Sequence, residues 1–281
     1  MSIGAYIRRI GRKRGDGRAL TRAEAADLMG QVLDRTATDF EIGALCMAMR
    51  IKGETVDEFA GFLDAIHART QRVSCVDGTA VVAIPSYNGA RKYPVLTPLL
   101  GLLLAARGVP VLMHGMTSED VRVTSGQVFE RLGIALNPSK SPLAVGELRW
   151  MPTEALCDGL ARLIAVRRVL TMRNTGHSLA KMFNPVEGKV LVLSSYTHGE
   201  YSEAMQAAFE TQGIQALLFN GLEGEVVALE NRGLVKSPEA ADISAASTAE
   251  FAQAVLQGQR PVPAELAAQI ETIMSAWQAL H

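Results

Sequence analysis

The stretch VVAIPSYNGARKYPVLTP, residues 81–98, decides how the chain is read. A valine-rich run of strand length meets the turn Pro85-Ser86-Tyr87-Asn88-Gly89, and two cations, Arg91 and Lys92, follow at once. A buried strand that ends in a glycine turn beside positive charge is a common way to seat a phosphate. Either the turn encloses a small phosphate ester, or it belongs to a surface for something larger.

Outward from this stretch, strands and helices alternate. LTPLLGLLLAARG reads as a helix ending at Gly108 and VPVLMHG as a second strand. KVLVLSS (189–195) and IQALLFNG (214–221) read as two more strands, with a helix near 200–212 between them. This alternation predicts a mostly parallel central sheet covered by helices. Upstream, residues 21–34 read as a helix with Thr21 and Glu24 as a capping box, and further helices start near Asp39 and Thr55. Residues 153–183 again read as helical. The expected fold class is therefore α/β, with two discontinuous domains. A small all-helical domain takes residues 1–70 and 153–185, and a larger α/β domain takes residues 71–152 and 186–281.

Hydrophobic residues make up 48% of the 281, which places the chain among globular rather than disordered sequences. No apolar run approaches the roughly 20 residues that cross a bilayer, so no membrane partner is expected. The start, MSIGAYIRRIGRKRG, is charged but lacks the apolar core of a secretory signal. Cys46, Cys75 and Cys157 are widely spaced and form no CxxC, which fits a reducing cytosol and neither a disulfide frame nor a zinc site. His67, His198 and His281 have no metal-ligand spacing either, and a cytoplasmic protein is expected.

A net charge of −1 hides an uneven distribution. Residues 187–281 hold 12 acids and 4 basic residues, a balance of −8, so the first 186 carry +7. Residues 1–22 hold Arg8, Arg9, Arg12, Lys13, Arg14, Arg18 and Arg22 against Asp16 alone. Residues 160–182 hold Arg162, Arg167, Arg168, Arg173 and Lys181 with no acid. Segregation of this kind is the footprint expected for an anionic partner.

GALCMAMRIKGET, within residues 20–62, resembles the N-terminal helices of anthranilate phosphoribosyltransferases, and the likeness continues through ARGVPVLMHG, FERLGI, VRRVLTMRN and FNP. The resemblance implies a small helical domain on an α/β domain, and a homodimer through the N-terminal helices. It also implies a Gly-Thr-Gly-Gly-Asp turn for phosphoribosyl pyrophosphate, where this chain has Pro85, Ser86, Tyr87, Asn88 and Gly89. Proline has no N–H to give, and tyrosine adds bulk where a phosphate belongs. The family's Lys-His-Gly-Asn is here Met113-His114-Gly115-Met116, and its paired phosphate-binding serines fall at Asp120 and Val121. Its magnesium-holding acidic pair has no clean match in NGLEGEV, where Glu223 and Glu225 are separated by Gly224. Ser86, Tyr87, Asn88, Gly89, His114 and Gly115 would then form only a residual substrate pocket, with no catalytic residue and no resident cofactor.

Other positions read as gains. Asn174 or Thr175 can cap a helix, and Arg173, His177 and Lys181 fall at i, i+4 and i+8, on one face if the helix begins at or before Arg173. Asn174 and Thr175 offer side-chain and amide groups to phosphate oxygens. Together with IPSYNGARK, this pattern is most similar to the YbiB-like branch of the fold, whose members bind DNA and RNA without sequence preference. The expectation is a homodimer that binds single- or double-stranded nucleic acid in a basic groove. Arg91, Lys92, Arg167, Arg168, Arg173, Asn174, Thr175, His177 and Lys181 would hold the backbone. The alternative is a phosphoribosyltransferase-type glycosyltransferase with altered substrate, and magnesium and phosphoribosyl pyrophosphate belong to that reading alone.

Overall fold

The structure is a computed structural model that describes residues 1–12, 19–119, 121–136, 138–197, 199–221, 223–227 and 243–280. Four helices come first: α1 (Ile3–Ile10), α2 (Arg22–Leu33), α3 (Asp39–Lys52) and α4 (Val56–His67). Next are β1 (Val81–Pro85), α5 (Thr97–Ala105), β2 (Val111–Gly115), α6 (Ser125–Arg131) and β3 (Leu148–Pro152). Four short helices follow, α7 (Thr153–Leu156), α8 (Asp158–Ala165), α9 (Arg167–Leu170) and α10 (Thr175–Leu179). The chain then forms β4 (Val190–Tyr196), α11 (Gly199–Thr211), β5 (Gln215–Asn220), α12 (Ala245–Leu256) and α13 (Ala264–Gln278).

These elements fall into two compact units, one of Met1–Gln71, Thr153–Pro185 and Glu203–Ile214, the other of Arg72–Pro152, Val186–Ser202 and Gln215–His281. The boundaries differ from the sequence expectation at Glu203–Ile214, which groups with the helices. The reason is local: the Gln212 amide donates to the Ala60 carbonyl and the Asp64 carboxylate of α4, both at 2.9 Å.

In the helical unit, threonine starts α2, α3 and α4. Thr21, Thr38 and Thr55 each accept the amide three residues on, and Glu24, Glu41 and Glu58 reach back to the caps. Such boxes fix a helix start, each cap contributing about 1 kcal/mol. At Gly61 an added Cβ would lie 2.1 Å from the Arg22 carbonyl oxygen, so α4 and α2 pack at backbone contact. The first helix, α1, is a difference from the sequence reading, which assigned no element to the basic start and counted it toward an anionic partner. It buries Ile3, Tyr6 and Ile10, and Arg9 pairs with Glu24 at 2.6 Å instead of facing a ligand. Lys13, Arg14, Asp16 and Arg18 lie outside the described residues, as do Asp120, His198 and His281.

The second unit is built on a five-stranded parallel sheet of order β3-β2-β1-β4-β5. Every residue of β1 and β2 is buried, as expected when helices cover both faces of a parallel sheet. Val82, Ile84, Val111, Met113, Leu191 and Leu193 meet Leu99 and Leu100 of α5 and Leu266, Ile270 and Ile273 of α13 in one core. The strand β3 was not expected from the sequence. Its Arg149 sits opposite Leu112, 8% exposed, with Glu147 at 2.6 Å and the Ser139 carbonyl at 3.1 Å as partners.

Candidate anion-binding sites

Strand order runs outward from β1 through β2 to β3, then returns to β4 on the other side of β1. Open parallel sheets bind ligands outside the C-terminal strand ends where the order reverses in this way. Residues 86–92 leave β1 at that point, and the segment after β5 meets them there.

Two carboxylates occupy the turn. Glu225 is 3% exposed, and its oxygens accept from Ser86 Oγ at 2.5 Å, Thr97 Oγ1 at 2.8 Å and the Gly89 amide at 2.8 Å. Burial pushes its carboxyl pKa upward, opposed by the bonds from Ser86, Thr97 and the Gly89 and Asn88 amides. Glu223 accepts from the Arg91 amide at 3.0 Å and the Lys92 amide at 2.9 Å, and the Arg122 guanidinium lies 3.6 Å away. Gly89 has φ +61, and a Cβ there would stand 2.3 Å from the Val123 carbonyl oxygen, so only glycine fits.

Ser86, Tyr87, Asn88, Gly89, His114 and Gly115, expected to line a residual pocket, are all buried. Ser86 also bonds Ser125 Oγ at 2.6 Å, and Asn88 Nδ2 donates to the Glu223 carbonyl at 2.5 Å. Burial pushes the His114 imidazole down to about 3, so it stays neutral across the physiological range. Arg91 and Lys92 are exposed beyond the turn, and their backbone amides, rather than their side chains, serve it. Magnesium–pyrophosphate chemistry does not fit these residues. The carboxylates face N–H and O–H donors, whose hydrogens repel a cation.

The helical unit carries a second site. Asn174 caps α10, its Oδ1 accepting from the Gly176 amide at 2.9 Å and its Nδ2 donating to the Leu163 carbonyl at 2.6 Å. The Thr175 hydroxyl donates to Glu54 at 2.5 Å. His177 is 3% exposed, and its Nδ1 takes the Asn174 amide at 3.2 Å. Desolvation, then the charge of Arg173, pushes His177 down to about 3. Asn174 and His177, expected to face phosphate, are thus spent on capping α10, and Thr175, expected there too, is spent on Glu54. The helix begins at Thr175 and ends at Leu179, so Arg173 and Lys181 flank it and the three-residue stripe does not form.

The cations nevertheless gather there. Arg173, Arg167 and Lys181 all act on His177 through their charge, and burial followed by Arg173 pushes Lys181 down to about 8. Arg168, on α9, is exposed. Among the described residues, Arg168 and Arg173 have no carboxylate within ion-pair distance. The sequence reading missed Arg50 of α3, whose guanidinium reaches the Arg173 carbonyl at 3.4 Å. No local signal marks it, because 123 residues separate the pair.

Residues 8–70 match the glycosyl transferase family, helical bundle domain. The uncharacterized protein YbiB of Escherichia coli is 34% identical, over 98% of this chain and 94% of its own length. Anthranilate phosphoribosyltransferase of Methylocella silvestris is 28% identical over 85% of this chain and 73% of its own. Among solved structures, anthranilate phosphoribosyltransferase (TrpD) from Thermus thermophilus aligns over 95% of this chain and 85% of its own, with TM-score 0.73 and 18% identity. The Saccharomyces cerevisiae enzyme, in complex with PRPP and Mg, aligns over 99% and 89% with TM-score 0.75 and 12% identity, a likeness of fold.

Proposed function

We propose that this chain, a member of the anthranilate phosphoribosyltransferase-like family alongside Escherichia coli YbiB, is a nucleic-acid-binding protein without sequence preference. The observation that carries this reading is the convergence of Arg167, Arg173 and Lys181 on α10, in a stretch with no acid from residue 160 to 182. Arg168 and Arg50 extend the cluster, and Arg91 and Lys92 supply a separate exposed pair on the other unit. Such groups hold phosphates by charge, which gives affinity without reading bases. Self-association as a homodimer, which doubles the cluster, belongs to the same proposal. Its surface is the outer face of α3, where Phe40 is 93% and Ile51 72% exposed.

Gel-shift or anisotropy titration of single-stranded DNA across a salt series tests the reading. Affinity falls by roughly 0.7 log units per phosphate contact per decade of salt, and Arg173→Ala lowers that slope by about one contact. Absent or salt-insensitive binding defeats it. A transferase with altered substrate is the second reading, and kinship with enzymes named anthranilate phosphoribosyltransferase supports it more directly than it supports nucleic-acid binding. The carboxylates seated in the phosphate turn weigh against it. Loss of anthranilate fluorescence in the presence of phosphoribosyl pyrophosphate, at micromolar protein, would reverse the ranking.

A further inference from the structure

The donor set at the end of β1 is complementary to an oxyanion. Two hydroxyls, Ser86 and Thr97, and three backbone amides, Gly89, Arg91 and Lys92, converge on Glu223 and Glu225, with Arg122 behind them. Amide and hydroxyl hydrogens repel a metal cation, so the two acids face the cradle as hydrogen-bond acceptors rather than as ligands of a cation.

The backbone of the acidic turn is shaped for this. Glu223 and Gly224 both have positive φ, +55 and +93, and the two carboxylates, one residue apart, meet adjacent donor sets: the Arg91 and Lys92 amides for Glu223, and Ser86, Thr97 and the Gly89 amide for Glu225. At Gly221 a Cβ would lie 1.8 Å from the Glu225 carbonyl oxygen, so the approach to the turn requires glycine. Ser195 Oγ of β4 donates to the Gly224 carbonyl at 2.9 Å and pins the turn at the reversal point of the sheet. A non-glycine residue in the left-handed region is strained and persists where its surroundings hold it.

We infer that the Glu223–Glu225 turn is a tethered substitute for a phosphate or pyrophosphate, an autoinhibitory plug that closes a cradle still able to bind such an anion. The plug is independent of the cation cluster in the helical unit, so either proposal can fail alone. A free oxyanion competes with carboxylates whose effective concentration is set by a short tether, and at ordinary concentrations it loses.

Nuclear magnetic resonance titration of the full chain with inorganic pyrophosphate, read at the backbone amides of Gly89, Arg91 and Lys92, tests the plug. In the parent protein the Gly89 amide stays unmoved. In Glu223→Ala/Glu225→Gln the three amides shift together, and pyrophosphate binds at least about tenfold tighter, as freed charge-assisted donors require. A folded double variant that binds no more tightly overturns the inference, and so does a parent protein whose Gly89 amide already responds. Should the double variant fail to fold, Glu223→Ala alone is read at Arg91 and Lys92: tighter binding there supports the plug, and unchanged binding overturns it.

Discussion

Lys181 carries its ammonium where desolvation and the neighbouring Arg173 both disfavour the charge, and its pKa is pushed down to about 8. A phosphate bound there restores the proton, so the cluster should bind nucleic acid more weakly as pH rises from about 7 to about 9. Lys181→Arg, which stays charged, should flatten that dependence in an anisotropy titration, whereas a profile unchanged by the substitution removes Lys181 from the contact surface. The linkage to stability has the opposite sign. Between about 8 and the ordinary 10.5 the unfolded chain holds more protons than the folded one, so Lys181 lets stability rise with pH across that window. At this scale the charges were legible and their environments were not. Arg168 and Arg173 can be read as cations in the sequence, but the burial of His177 depends on α3, α4 and α8 packing against α10, which no local pattern records.

Capping boxes are the clearest case of structure written locally. Thr21 with Glu24 announces α2, and Thr55 marks the start of α4. The second task of Glu58 is invisible at that range. It is 0% exposed and accepts from the Leu20 amide at 3.0 Å, the Thr55 amide at 2.8 Å and Lys52 Nζ at 2.5 Å. Glu58→Ala leaves a buried ammonium and two amides without their carboxylate, and the expected loss is about 3–5 kcal/mol in urea unfolding. Thr55→Ala, which removes only the cap, should cost about 1 kcal/mol. Equal losses would show that Glu58 does no more than cap. Element identity failed for β3 because Leu148–Pro152 carries an arginine at its second position. Its strand character comes from pairing with β2, through Met113 opposite Trp150, and from carbonyls that satisfy Arg149.

Folding redistributes the charge that the linear sequence segregates. The chain is +7 through residue 186 and −8 beyond, yet the segments of the helical unit hold 16 basic and 14 acidic side chains, and those of the α/β unit 12 and 15. The long-range asymmetry therefore shrinks to +2 against −3, because the acidic final third shares a unit with the basic residues 72–152. What survives as an anion-binding argument is the short acid-free stretch of residues 160–182, and self-association is what would raise its field without changing a residue. In the proposed dimer, α3 supplies the face for that. Ile42, Leu45, Cys46 and Met49 are buried, while Phe40, Met47 and Ile51 stand exposed at helical spacing on the opposite side. A helix apolar on both faces is unusual for a free surface. Analytical ultracentrifugation should find the parent protein dimeric and Phe40→Asp/Ile51→Asp monomeric, with an unchanged circular dichroism spectrum. If the dimer binds one DNA strand through both copies of the cluster, the monomeric variant also loses about half of the salt dependence of binding. A parent that sediments as a monomer removes self-association from the proposal and leaves each cluster to act alone.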